Sequence, residues 1–86
     1  MTKNEVLTRL ESAVGDNAYG KEVLSELKAD YNEDDKKYGQ TIKDRLDDRL
    51  GSERGWLYKD IKNDSGNPKQ RVENIEVLEA MLKALA

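Results

Sequence analysis

The sequence predicts an all-α fold, a compact bundle of four to five short helices in one domain spanning residues 1–86. Three observations carry that expectation. Apolar residues recur at three- and four-residue steps, most plainly Val72, Ile75, Leu78, Met81, Leu82 and Leu85, which is the period of one helical face. Two stretches hold helix-start chemistry, Thr2-Lys3-Asn4-Glu5 and Asn67-Pro68-Lys69-Gln70, each with a capping side chain and a Glu or Gln three residues later. The stretch that invites a strand reading, Trp56 to Ile61, segregates nothing when its side chains are alternated: Leu57, Lys59 and Ile61 on one side, Trp56, Tyr58 and Asp60 on the other. Helix is the better reading there.

Taken in order, the first helix covers about residues 3–14, with Val6, Leu7, Leu10 and Val14 on one face and Gly15 as its stop. Glu5 and Arg9 stand four apart in the favourable order. The turn cluster Gly15 to Gly20 offers Asp16 or Asn17 as the next cap. Val23, Leu24, Leu27 and Tyr31 give the second helix its buried side, and Tyr38, Ile42, Leu46 and Leu50 step by four down a third. One helix from about 21 to 50 would satisfy the same spacing. A break near Asn32 is preferred, because a compact bundle needs helices that fold back on one another, and Asn32-Glu33-Asp34-Asp35 reads as a cap with an acidic first turn. Gly51 is expected to end the third helix and Ser52 to cap a fourth, which places Trp56, Leu57 and Ile61 together, with Trp56 in the core. Asn63 to Pro68 is the strongest breaker cluster, and the last helix follows it.

Composition narrows the function. A chain of 86 residues buries only about 60–65% of its unfolded surface. Its 18 Leu, Ile and Val residues sit just above the roughly 20% level below which disorder is expected. The net charge of −3 is too small to hold the chain open. Cysteine and histidine are both absent, which removes disulfides, a thiolate nucleophile, the commonest metal ligand and the usual general base near neutral pH. The start of the chain has no apolar signal-like region, and no apolar run approaches the length of a membrane span, so a cytoplasmic location is the expectation.

Neither catalysis nor metal binding finds a motif. The serines have no histidine to activate them. The pairs Asp34/Asp35 and Asp47/Asp48 are helical neighbours that point in different directions. Gly51 to Gly55 lacks the lysine and spacing of a phosphate loop, and the acidic runs lack the alternating ligands of a calcium loop. The expectation is a non-enzyme with no cofactor and no metal.

Two binding readings remain. The preferred one is a protein-contact module, an adaptor, an inhibitor or a self-associating regulator. Residues 1–40 carry six Lys/Arg against nine Asp/Glu. Asp30, Glu33, Asp34 and Asp35 beside Tyr31 and Tyr38 make an acidic, aromatic segment suited to a basic protein partner.

The alternative is a DNA-binding regulator. Residues 43–71 hold eight basic and six acidic side chains. If 41–50, 53–62 and 68–85 are three helices, the last follows a short turn as a recognition helix does. Its exposed opening then carries Lys69, Gln70, Arg71 and Asn74, side chains able to bond base edges. Arg54, Lys59 and Lys62 are placed to meet phosphates. Trp56-Leu57-Tyr58-Lys59-Asp60-Ile61 and the closing Ile75 to Leu85 loosely resemble repressor-type helix-turn-helix domains. The departure is that only thirteen residues separate Ile61 from Ile75, too few for the separate recognition helix of that family. Glu73, Glu76 and Glu79 on the same helix, and a pI near 5.0, also oppose a phosphate backbone.

Overall fold

The computed structural model describes residues 2–30 and 38–86, with the side chains of 30 and 38–40 outside that description. Among the described residues there are four helices and no strand: α1 Lys3–Val14, α2 Ala18–Asp30, α3 Tyr38–Lys62 and α4 Pro68–Ala84. Their starts follow local chemistry. The Thr2 hydroxyl accepts from the Glu5 backbone N–H at 3.2 Å, Asn17 Oδ1 from Gly20 N–H at 2.8 Å, and Asn67 Oδ1 from Gln70 N–H at 3.2 Å. Each satisfies one of the donors that a helix start leaves without an internal partner.

The core is one apolar cluster. Val6, Leu10 and Val14 come from α1, and Val23, Leu24 and Leu27 from α2. Ile42, Leu46 and Leu50 come from α3, Leu78 and Met81 from α4, and Leu85 from its C-cap. Helix α4 is central, packing against α3, α1 and α2. Gly20 makes one approach possible. A Cβ there would stand 2.9 Å from methyl carbons of both Val14 and Val77, so α2 meets α1 and α4 at a point that tolerates no side chain.

Two expectations need correction. Gly51 and Ser52 do not divide two helices, because α3 runs unbroken for 25 residues through both Gly51 and Gly55. Each interior glycine costs roughly 1 kcal/mol against alanine. Burial of Leu46 and Leu50 at about 1.5–3 kcal/mol each outweighs that preference. The expected third and fourth helices therefore merge into one continuous α3, and the expected fifth is α4. Second, Trp56 is not core: it is half-exposed, and Ile61 and Val72 also lie open. A short bundle buries a narrow stripe, and these three sit on its flanks. The alternative of a single helix from 21 to 50, over which a break is preferred, is excluded. Arg49 Nη2 bonds Glu26 Oε2 at 2.6 Å, whereas 23 residues of straight helix span about 35 Å. The chain reverses between α2 and α3; the break expected near Asn32 lies outside the described residues.

The unbroken α3 carries a prediction with a definite sign. Gly51 has negative φ, and its missing Cβ would meet nothing within 4 Å. Gly51→Ala should raise unfolding stability by about 0.5–1 kcal/mol in urea denaturation. A left-handed helix-ending glycine would instead lose stability on the same change.

Candidate functional site

Continuity of α3 brings Glu53 into the core stripe, three residues after Leu50 and four before Leu57. Its side chain is 3% exposed. A carboxylate there must be matched by donors, since isolated burial of its charge is prohibitive. Three side chains supply them. From α2, the Tyr19 hydroxyl donates to Oε1 at 3.2 Å. From α4, Asn74 Nδ2 donates to Oε2 at 3.5 Å, and Arg71 Nη1 reaches Oε1 and Oε2 at 3.5 and 3.4 Å. These are long hydrogen bonds, so charge attraction contributes more than bond geometry.

The network continues outward. Arg71 Nε donates to Asp60 Oδ2 at 3.3 Å, and the Arg71 guanidinium carbon lies 4.9 Å from the centre of the Trp56 ring. Gln70 Nε2 donates to Asn74 Oδ1 at 2.8 Å, which leaves the Asn74 amide nitrogen turned toward Glu53. The turn after α3 closes over Asp60. Ser65 N–H returns to the Asp60 carbonyl at 2.9 Å. Gly66 takes φ +66°, where a Cβ would fall 2.6 Å from the Asp60 carboxylate. That position requires glycine twice over, for its dihedral and for its space.

Two pKa values follow from this packing. Tyr19 is raised above its ordinary value, first by burial and then by the negative field of Glu53, with Arg49 acting in the opposite sense. Desolvation opposes the charge on Arg71, but its hydrogen bond to Asp60 and the field of Glu53 outweigh that and hold its pKa above the usual guanidinium value. Both oxygens of Glu53 are engaged by donors. The arrangement holds three helices together instead of offering a free lone pair to a ligand.

The seven residues expected to meet nucleic acid do not form one free surface. Asn74 is 6% exposed and bonded to Glu53, a correction to its expected place on the open start of α4. The cause is the core requirement of Glu53. Arg71 is committed to Glu53 and Asp60, and Arg54 pairs with Glu79 at 3.3 Å. Gln70 uses its amide on Asn74, and Lys59, Lys62 and Lys69 remain exposed. Of the residues expected to meet a protein, Asp30 closes α2 and Tyr38 opens α3. Their side chains, and Tyr31, Glu33, Asp34 and Asp35 entirely, lie outside the described residues.

A different face of the hairpin is open. Tyr58 is 65% exposed, Ile61 64% and Val72 42%, with Leu57, Pro68 and Ile75 partly buried beside them. Val77 of α4 meets Gly20 of α2, and Val72 is five positions away, about 140° round the helix. Trp56 and Ile61 differ by the same five positions, so Trp56 belongs to the network side and Ile61 to the opposite one. Among the described residues no group of three acidic side chains could hold a metal ion, and no helix is long and apolar enough to cross a membrane. Comparison of the chain with protein-family models, curated proteins and solved structures found no match.

Two outcomes test the network. Arg71→Ala should cost about 2–3 kcal/mol in urea denaturation, below the figure for a fully buried pair because Arg71 is one-third exposed. Arg54→Ala, which breaks an exposed pair, should cost under about 1 kcal/mol. The second outcome concerns Tyr19, whose folded pKa lies above its unfolded value near 10. Its contribution is fully present below about pH 10 and is lost as pH rises through the folded pKa, because the unfolded chain releases the proton first. Tyr19→Phe should therefore flatten the loss of stability between about pH 9 and 11, measured as the difference from wild type.

Proposed function

We propose that this protein is a non-catalytic binding module that acts through protein contacts, using the open side of the α3–α4 hairpin. The supporting observation is the cluster of exposed apolar side chains there, Tyr58, Ile61 and Val72, on an otherwise well-packed small bundle. Large apolar side chains gathered on one rigid face mark contact surfaces, and Tyr is enriched where binding energy concentrates. The acidic segment from Asp30 to Tyr38 is a second candidate contact region, on the sequence grounds given above.

The DNA-binding reading is the weaker of the two. Its base-reading groups, Arg71, Asn74 and Gln70, already have partners within the chain, and freeing Arg71 and Asn74 would strip Glu53 of its donors. The three lysines left exposed are a small basic footprint beside a net charge of −3.

One paired measurement tests the proposal. Wild-type protein, immobilised and challenged with native extract and with a second copy of itself, should retain one protein in stoichiometric amount, and Ile61→Asp should lose it while melting as wild type does. Duplex DNA titrated at about 50 mM salt should give no saturable binding. Tight DNA binding that weakens steeply by about 200 mM salt would sink the proposal, as would retention of no protein at all.

A further inference from the structure

Past the level of Glu53 the molecule narrows from four helices to two. The end of α1 and the start of α2 stop there: Val14 and Val77 of α4 both meet Gly20, and Tyr19 bonds Glu53 of α3. From that level both helices lead the other way, α1 back to Arg9, which donates to the Ala84 carbonyl at 3.4 Å, and α2 on to Glu26 beside Arg49. Twelve and thirteen residues make α1 and α2 about 18–20 Å long, less than half of the 44 Å long axis. Residues 54–73 of the hairpin therefore project beyond a four-helix base.

Burial changes at the same level. Among the described residues, every fully buried apolar side chain lies on α1, on α2, on α3 up to Leu50, or from Leu78 onward. Between those two leucines only Glu53 and Asn74 are buried, and both are polar. With Tyr19 and Arg71 they close the apolar core by a layer of long hydrogen bonds, 3.2–3.5 Å. Outside that layer Leu57 and Ile75 are only partly buried, and Trp56, Tyr58, Ile61 and Val72 are exposed. A segment with few buried apolar contacts is the part of a fold that opens at least cost.

Helix α3 is also weakest where the base ends. Gly51 and Gly55 stand about one turn apart, neither has positive φ, and a Cβ on either would meet nothing within 4 Å. Neither space nor dihedral requires glycine at these positions, so their effect falls on helix strength. Each favours the open segment about fivefold relative to alanine. Gly51 is also a ready end for the inner half of α3 once the outer half has left it.

We infer that the outer hairpin, residues 51–74, is a separate folding unit that opens while the four-helix base stays closed. Gly51 and Gly55 are the point of parting, and the Tyr19–Glu53 bond, which crosses from the base, is the latch. Opening hydrates Glu53, Arg71 and Asn74 together, so the unit parts in one step. Tyr58, Ile61 and Val72 all lie on this unit and keep their places only in the closed form. A molecule that holds any two of them together closes the unit further.

The test is backbone amide hydrogen exchange followed by NMR on the whole chain, in water and in urea below the unfolding transition. Amides of residues 55–62 should share one opening free energy, with protection at least about tenfold below that of 46–50 in the same helix. Gly51→Ala combined with Gly55→Ala should slow exchange at 56–62 about tenfold, and Tyr19→Phe should speed it about fivefold. Ile42→Val, inside the base, should speed the amides of 46–50 about fivefold and leave those of 56–62 unchanged. Equal protection on both sides of Gly51 would overturn the inference, since α3 would then open only with the whole protein. So would protection that falls residue by residue toward Lys62, which is end fraying, or exchange at 56–62 that ignores both glycine substitutions. If Ile42→Val speeds both groups alike, base and hairpin open together and no separate unit exists. Exchange in Tyr19→Phe that matches wild type removes the Tyr19–Glu53 bond as the latch.

Discussion

A single carboxylate in the middle of the hydrophobic stripe dictates how three helices meet. Glu53 is placed among leucines by the period of α3, and in that position it must find donors or unfold the core around it. Tyr19 fixes the start of α2 against it, and Arg71 and Asn74 fix the rotation of α4. An apolar contact is indifferent to small slips along or around a helix. A carboxylate with three named partners is not. Removing two charges from water costs several kcal/mol per ion, and their attraction offsets that cost only in good geometry. The network is therefore better understood as a device for register than as a source of stability, which comes from the leucines, valines and methionine around it.

That choice of rotation has consequences at the surface. Turning Arg71 and Asn74 inward carries Val72 outward, on the side of the hairpin where Arg54 pairs with Glu79. The side of the hairpin facing α2 is occupied by the network, with Trp56 stacked on Arg71, which reaches both Glu53 and Asp60. The opposite side is left with the exposed apolar side chains Tyr58, Ile61 and Val72. Internal order and external chemistry are thus two faces of the same α4 orientation.

Local preference and tertiary packing conflict most openly at Gly51. The tetrad Leu50-Gly51-Ser52-Glu53 has the composition of a helix stop followed by a cap and an acidic first turn, and it reads that way in isolation. The structure continues the helix because residues 42, 46, 50, 53 and 57 align only without a break. Misreading this point hid the network. With α3 divided at Gly51, Glu53 belongs to a first turn, where carboxylates are ordinary; with α3 whole, it is a charge inside a leucine stripe and asks for partners. The same reading placed Arg71 and Asn74 on an exposed helix opening, although Arg71, Asn74, Leu78 and Met81 share the spacing of a buried ridge.

What the sequence determined by itself is local and periodic: the helical class, the caps at Thr2 and Asn67, and the inward ridges of α1 and α2 and the second half of α4, with the cap of α2 narrowed to Asp16 or Asn17. These depend on residues within about one or two turns of each other, so composition and spacing suffice. The tertiary structure alone decided that α3 runs through two glycines and that Glu53 is buried. It also decided that Arg71 serves the core and not a ligand, and that Ile61 and Val72 stand together in the open. Each of those outcomes depends on residues 18 or more positions apart, or on the rotation of one helix against another. The physical reason is that a helix has a buried side only once a neighbour is placed against it, and the donors that Glu53 demanded fixed where that neighbour went.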